Sequence, residues 1–182
     1  MLAESSLLRR CGGRWAWEPA RTPPSAAALA RCGFHEHKWA EGCPRDAPNL
    51  LLLLHGLGDR PAAFAAFASR LSLPLTSALA LGAPMPLPLG LPGSMWHASF
   101  EEDGELLDGS NPQDRRRLES LAGTTRPRLL ALLALLEAGC GWSRSRIFLF
   151  GYAQGGTAAI DLLGHACGPL GGDCCRRPPS RS

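Results

Sequence analysis

Arg146 to Gly156 reads RIFLFGYAQGG, a short apolar segment running straight into a glycine-framed turn. Ile147 to Phe150 are residues that favour a buried strand, and Gln154 to Leu163 carry the pattern of a helix that starts as the turn ends. The same strand, turn, helix order occurs upstream. Leu50 to Leu54 are five consecutive leucines bounded by Pro48 and by His55-Gly56. That run is too short for a typical helix and predicts a strand buried on both faces, as in a parallel sheet. After HGLGD, Asp59 is placed to cap a helix, Pro61 fits its first turn, and Phe64, Phe67, Ala68 and Leu71 recur at helical spacing until Pro74. LTSALALGAP predicts a second strand, MPLPLGLPG a loop, and Pro127 to Ala138 a helix ended by Gly139 and Gly141. Elements in this order define an α/β domain with helices wound around a mainly parallel sheet. Ligands then sit at the carboxyl ends of the strands, where both HGLGD and GYAQGG fall.

Composition narrows the function classes. The chain has 182 residues, 45% hydrophobic and 19% charged, with a formal charge of +3. That is one domain's worth of core-forming sequence. The net charge is small, and no basic stripe or RNA-binding signature marks a nucleic-acid surface. Seven cysteines, none in a C-x-x-C pair, favour reduced thiols over a disulfide scaffold. Cys32, His35, His37 and Cys43 match no zinc-binding spacing, so a solvated loop is expected there, with no metal or cofactor. LLALLALLEAG gives out long before the ~20 residues needed to span a bilayer. The first 31 residues are rich in arginine, serine and alanine, with only Glu4 and Glu18 acidic. They fit either an organelle transit peptide or an irregular extension of a cytoplasmic protein. Prolines interrupt every pattern up to residue 48, so residues 1–48 are expected to be irregular, with one edge strand near Phe34 to Trp39. Residues 49–164 form the α/β domain, and 165–182 an unrelated, disordered tail.

The glycine-framed turn has a chemical reading. A nucleophile elbow needs small residues two before and two after the nucleophile, because its strained backbone leaves no room for side chains. Gly151 and Gly155 stand at those places around residue 153, which is alanine. The helix that follows aims backbone N–H groups at any anion forming above that residue.

LLLLHGLGD, LGAP, MWHASF with the acidic loop after it, and RIFLFGYAQGG together resemble the phospholipase/carboxylesterase family of serine hydrolases, which includes the acyl-protein thioesterases. The resemblance runs from about Leu50 to Leu163. It implies an α/β-hydrolase fold acting on carboxylic esters or thioesters, of lipids or of S-acylated proteins, with peripheral membrane contact as a further partner class. It also implies an oxyanion hole formed by the N–H groups of Leu57 and Gln154. Trp96 falls where family members carry a tryptophan bordering the acyl site, a position equally open to core packing. By the same resemblance, His55 belongs to the HG pair that shapes the oxyanion loop and is not used as the general base.

Departures from the family matter as much. Ala153 stands at the nucleophile position, and a methyl group cannot be acylated. Ser143 precedes the strand, and Ser94, three residues before His97, lies in a loop without an elbow. The triad acid and histidine would follow on later strands, yet only 26 residues follow Gly156 and a βα crossover takes about 30. Asp161 and His165, four apart on one helix, are expected to pair at its surface. Asp173 sits in GHACGPLGGDCCRRPPSRS, which shares nothing with the family and looks diverted from it. The expectation is a truncated, catalytically dead hydrolase, the alternative being an acyl- or lipid-binding pseudoenzyme.

Overall fold

The computed structural model describes residues 6–11, 14–101, 104–107, 115–168 and 170. Strands β3 (His37–Trp39), β4 (Asn49–Leu54), β5 (Thr76–Leu81) and β8 (Ile147–Gly151) form a sheet in the order β3-β5-β4-β8. The pairs β4–β5 and β4–β8 are parallel, and β3 closes one edge antiparallel to β5. The leucine run is therefore the central strand, flanked on both sides, as its unbroken apolarity requires.

A period of two is hidden in that run. Leu51 and Leu53 face Ala65 and Ala68 of helix α2 (Pro61–Leu71), with Ala78 and Ala80 beside them. Leu50, Leu52 and Leu54 face the opposite layer. That layer is built from Leu129, Leu132 and Leu133 of α4 (Arg126–Ala134) and Ala158 and Leu162 of α5 (Gln154–His165), with Trp96 and Trp142. β5 shows the same two-sided burial at all six positions. Trp142 is fully buried and its Nε1–H donates to the carbonyl of Ala47 at 3.0 Å, so the ring's polar end is satisfied inside the core.

Three expectations need correction. Residues 1–48 are not simply irregular: β1 (Ser6–Cys11) and β2 (Arg14–Pro19) pair as an antiparallel hairpin, and α1 (Ala26–Arg31) is a short helix. Ser25 caps α1, its Oγ accepting the N–H of Ala28 at 3.2 Å, directly after the two prolines that disguise it in the sequence. The edge strand β3 lies within the expected Phe34 to Trp39 stretch. Asp59 does not cap α2. Arg60 holds that position without a side-chain bond, while Asp59 lies one residue too early, its N–H closing a turn onto Gly56 O at 3.2 Å. The helix expected over Pro127 to Ala138 is part of a longer rod that begins with α3 (Arg115–Ser120). A π-helical turn at Leu121–Thr125 joins α3 to α4, with Arg126 N–H reaching back to Leu121 O. The widened turn accommodates Pro127, which lacks an N–H and crowds the preceding turn.

Leu52 is fully buried at the middle of the central strand. Leu52→Ala is expected to lower unfolding free energy by about 2–5 kcal/mol, the range for truncating a buried leucine, as read from urea denaturation midpoints.

Candidate active site

The turn after β8 has elbow geometry. Tyr152 N–H donates to Leu54 O at 3.0 Å, carrying the β4–β8 ladder one step past the strand. Ala153 then takes φ 47°, ψ −115°, a region L-residues rarely occupy, and α5 begins at Gln154. Holding alanine there costs about 1–3 kcal/mol. Gly156 and Thr157 N–H close the first turn onto Ala153 O at 2.9 and 3.3 Å. The framing glycines are required by contact. A Cβ on Gly155 would sit 2.2 Å from Leu54 O and 2.5 Å from His55 O, and one on Gly151 would sit 2.5 Å from Gly155 O.

Facing the elbow is the loop that begins at His55. The Nε2 atom of that buried ring accepts Ala83 N–H at 3.0 Å, which places the ring proton on Nδ1, donating to Gly56 O at 2.7 Å. Its carbonyl accepts Trp96 Nε1–H at 2.9 Å. Gly58 N–H donates to Ser94 O at 3.0 Å. The amides of Gly58 and Asp59 are thus both engaged, the first by Ser94 O and the second within the loop by Gly56 O. Among the described residues, the N–H groups of Leu57 and Gln154, the two expected oxyanion donors, take no acceptor. Tyr152 packs on the loop, its Cδ1 3.1 Å from where a Cβ on Gly56 would lie, so loop and elbow are neighbours. An apolar groove of about 240 Å³, lined by Ala63, Phe64, Phe67, Phe150 and Tyr152, opens beside them.

The side chain of Gln154 does work the sequence did not announce. Its Oε1 accepts Trp96 N–H at 2.6 Å, and its Nε2 donates to Ser99 Oγ at 2.6 Å and to His97 O at 3.1 Å. Thr125 Oγ1 donates to Trp96 O, and Ser120 Oγ accepts Ala98 N–H at 2.8 Å. The Trp96 to Ser99 segment is therefore clamped between α5 and the π-turn rod. Trp96 itself is fully buried, packed against Phe34 and His55. It lies against the loop that His55 begins, its indole N–H held by the His55 carbonyl.

No described side chain replaces the missing hydroxyl. Ser94 Oγ lies 3.3 Å from His55 Nε2, but the lone pair there already accepts Ala83 N–H, and a carbonyl, not a carboxylate, takes the Nδ1 proton. Ser143 Oγ bonds Ser145 Oγ at 2.7 Å, before β8 begins. Burial pushes the Cys32 and Cys140 thiols up, away from the thiolate form. The pairing expected of Asp161 and His165 is secondary: Asp161 is held by Arg126 at 2.6 and 2.9 Å, and His165 Nδ1 meets Asp161 O at 2.8 Å. Asp173 lies outside the described residues. Among the described residues no group of three or more His, Cys, Asp or Glu side chains converges as a metal site.

Two measurements check this geometry. Gly155→Ala is expected to unfold well below the parent in urea, because the added methyl meets backbone carbonyls. Gly164→Ala in the same helix, where a Cβ meets nothing within 4 Å, is expected to gain about 0.5 kcal/mol. The pH profile follows from His55 and His97, whose pKa values burial lowers below 6.5. Above that value both rings are neutral in either state and stability is complete. Below it the unfolded chain takes up protons first, so the urea midpoint is expected to fall as pH drops from 6.5, and less so in His97→Gln.

Comparison with known proteins agrees with this architecture. A sequence model of the phospholipase/carboxylesterase family matches residues 41–173. An uncharacterised hydrolase from Mycosarcoma maydis is 37% identical over 143 residues, covering 76% of this chain and 49% of its own. One from Schizosaccharomyces pombe is 34% identical over 119 residues, covering 62% and 44%. The crystal structure of esterase PE8 superposes with a TM-score of 0.57 at 28% identity, covering 74% of this chain and 60% of that one. The chain spans about half the length of the curated relatives it matches. With its parallel sheet, glycine-framed elbow and facing loop, the chain belongs to the phospholipase/carboxylesterase family and has its α/β-hydrolase fold.

Proposed function

We propose that this chain binds the acyl end of an ester, a thioester or a fatty acid without cleaving it. The observation that carries this reading is Ala153, which holds the elbow conformation and presents a methyl group where acyl transfer needs an oxygen. Two amide donors, from Leu57 and from Gln154 at the start of a 12-residue helix, favour a carbonyl or carboxylate oxygen above that methyl. The groove beside Tyr152 supplies an aliphatic seat. The names of the relatives, hydrolase and esterase, support carboxylic esters as the ligand class. S-acylated proteins, as for acyl-protein thioesterases, and lysophospholipids both present such a group, and a cytoplasmic setting in lipid metabolism accompanies this proposal.

Loss of a serine nucleophile lowers turnover on the order of a million-fold. The purified chain is therefore expected to hydrolyse p-nitrophenyl esters no faster than buffer and to take no label from a fluorophosphonate probe. It is expected to bind laurate saturably by calorimetry, and Ala153→Glu, which sets a carboxylate in the anion's place, is expected to abolish that binding while keeping the circular dichroism of the parent. Turnover that the probe abolishes would reveal a working nucleophile and end the proposal, as would laurate binding that Ala153→Glu leaves unchanged.

A further inference from the structure

The four-stranded sheet ends on two unlike edges. β3 is three residues long and carries Lys38, whose half-exposed side chain pairs with Glu41 at 3.5 Å. Short length and a lysine keep such an edge from pairing with another chain. β8 ends the other side, is five residues long and reads IFLFG, with no charge, no proline and an unbroken register against β4. The remaining strands form separate two-stranded sheets, β1 with β2 and β6 (Met85–Pro86) with β7 (Ser94–Met95), so none of them covers it.

One hydrogen bond fixes which backbone groups β8 leaves open. Tyr152 N–H donates to Leu54 O, and the period of two turns the amides and carbonyls of Phe148 and Phe150 toward β4 as well. Those of Leu149 and Gly151, and the carbonyl of Ile147, face away from the sheet. The Ile147 N–H is spent on Arg144 O. Both sides of this edge are apolar. Half-buried Phe148 and Phe150 project on the α2 side, followed by Tyr152, which is 58% exposed. On the opposite side, α5 turns Ala158, Ala159 and Leu162 to the core and Asp161 to Arg126 of α4. Leu163, about 200° round the helix from Asp161, faces away from α4 and toward the free edge, with Ile160 beside it. These two are 40% and 72% exposed.

The open groups are symmetric about Leu149, and that symmetry selects the partner. When a second copy lies antiparallel with the two Leu149 residues opposite, each Leu149 N–H meets the Leu149 carbonyl of the other copy. Each Gly151 N–H then meets the other copy's Ile147 carbonyl. The same register sets Phe148 across from Phe150 of the second copy, and Arg146 across from its exposed Tyr152 ring, a cation against an aromatic face. It also keeps the two Arg144–Arg146 turns at opposite ends of the seam, where a parallel placement would set like charges side by side. The exposed parts of these side chains amount to on the order of 600 Å² from each copy, the lower end of the range for a specific interface.

We propose that two copies of this chain join edge to edge through β8, antiparallel about Leu149, into one continuous sheet of twice the width. The pairing is independent of whether the elbow holds a ligand. An interface of this size gives micromolar dissociation, so the test is sedimentation velocity of the full chain from about 1 to 100 µM, with amide exchange followed by NMR at both ends of that range. A monomer–dimer equilibrium that goes no further is expected. The amides of Leu149 and Gly151 are expected to exchange more slowly at the high concentration, while those of β3 stay unchanged. The double variant Ile160→Lys, Leu163→Lys, which sets like charges across the seam from the exposed side of α5, is expected to weaken dimerisation at least about tenfold and to keep the circular dichroism of the parent. A chain that stays monomeric throughout, or that grows into higher oligomers, would overturn the proposal. So would a dimer in which exchange at Leu149 and Gly151 is indifferent to concentration, or one that the double variant leaves intact. Laurate binding and ester turnover are separate readouts, so their failure leaves this test standing on its own.

Discussion

The backbone of α5 meets the end of β4 at a distance that admits only hydrogen on Gly155, with the carbonyls of Leu54 and His55 directly against it. That approach sets the rest of the site. It brings the start of the helix onto the sheet, forces the sharp bend at Ala153, and leaves the first amide of the helix without a backbone acceptor beside the loop that His55 begins. The same carbonyl of His55 takes the indole N–H of Trp96, and the Gln154 side chain makes three bonds to the segment Trp96 begins, so helix, loop and tryptophan are tied together. The conformational cost at residue 153 is sustained by this packing and not by any hydrogen bond of the alanine side chain, which can form none.

This accounts for what could be read in advance. The elbow and the central strand were legible because each is written in a few adjacent residues: glycines where backbone meets backbone, and leucines where both faces are covered. The two-sided burial of β5 was legible only in part, since alanine and leucine alternate in size, not in polarity. Features that depend on distant residues were not legible. The first strand of the hairpin, SLLRRC, shows no alternation, and α1 is a single capped turn and a half behind two prolines. The π-turn answers a proline that by pattern alone marks a helix start. At the site, Gln154 was readable as a backbone donor, but its side chain bonds residues 55 and more positions away in sequence. Asp59 was assigned a cap by its residue type, whereas the turn from Gly56 fixes where α2 begins.

Separation of backbone from reactive atom is the chemical lesson of the elbow. Every element that shapes the turn is present: the two glycines, the bend and the helix start. The side chain they surround is inert. Ser94 and His55 illustrate the converse, a hydroxyl within 3.3 Å of an imidazole nitrogen whose lone pair is already engaged, in a site that has proximity and lacks a free base. Proximity of residue types is a weaker criterion than the state of each lone pair, and only the latter separates a nucleophile from a latch.

A strand made of one residue type carries no alignment information of its own. If Leu50–Leu54 slid by a single position against its neighbours, leucine would replace leucine at every inner place, and neither covering layer would register the change through hydrophobicity. Alignment must come from the ends of the run. At one end Asn49 N–H is fixed to Leu75 O at 3.1 Å and its Oδ1 accepts from Arg146 at 3.3 Å; at the other, His55 is locked to Ala83. The histidine that shapes the loop thus also acts as the stop against which the homopolymer is indexed, and the asparagine at the far end is its counterpart.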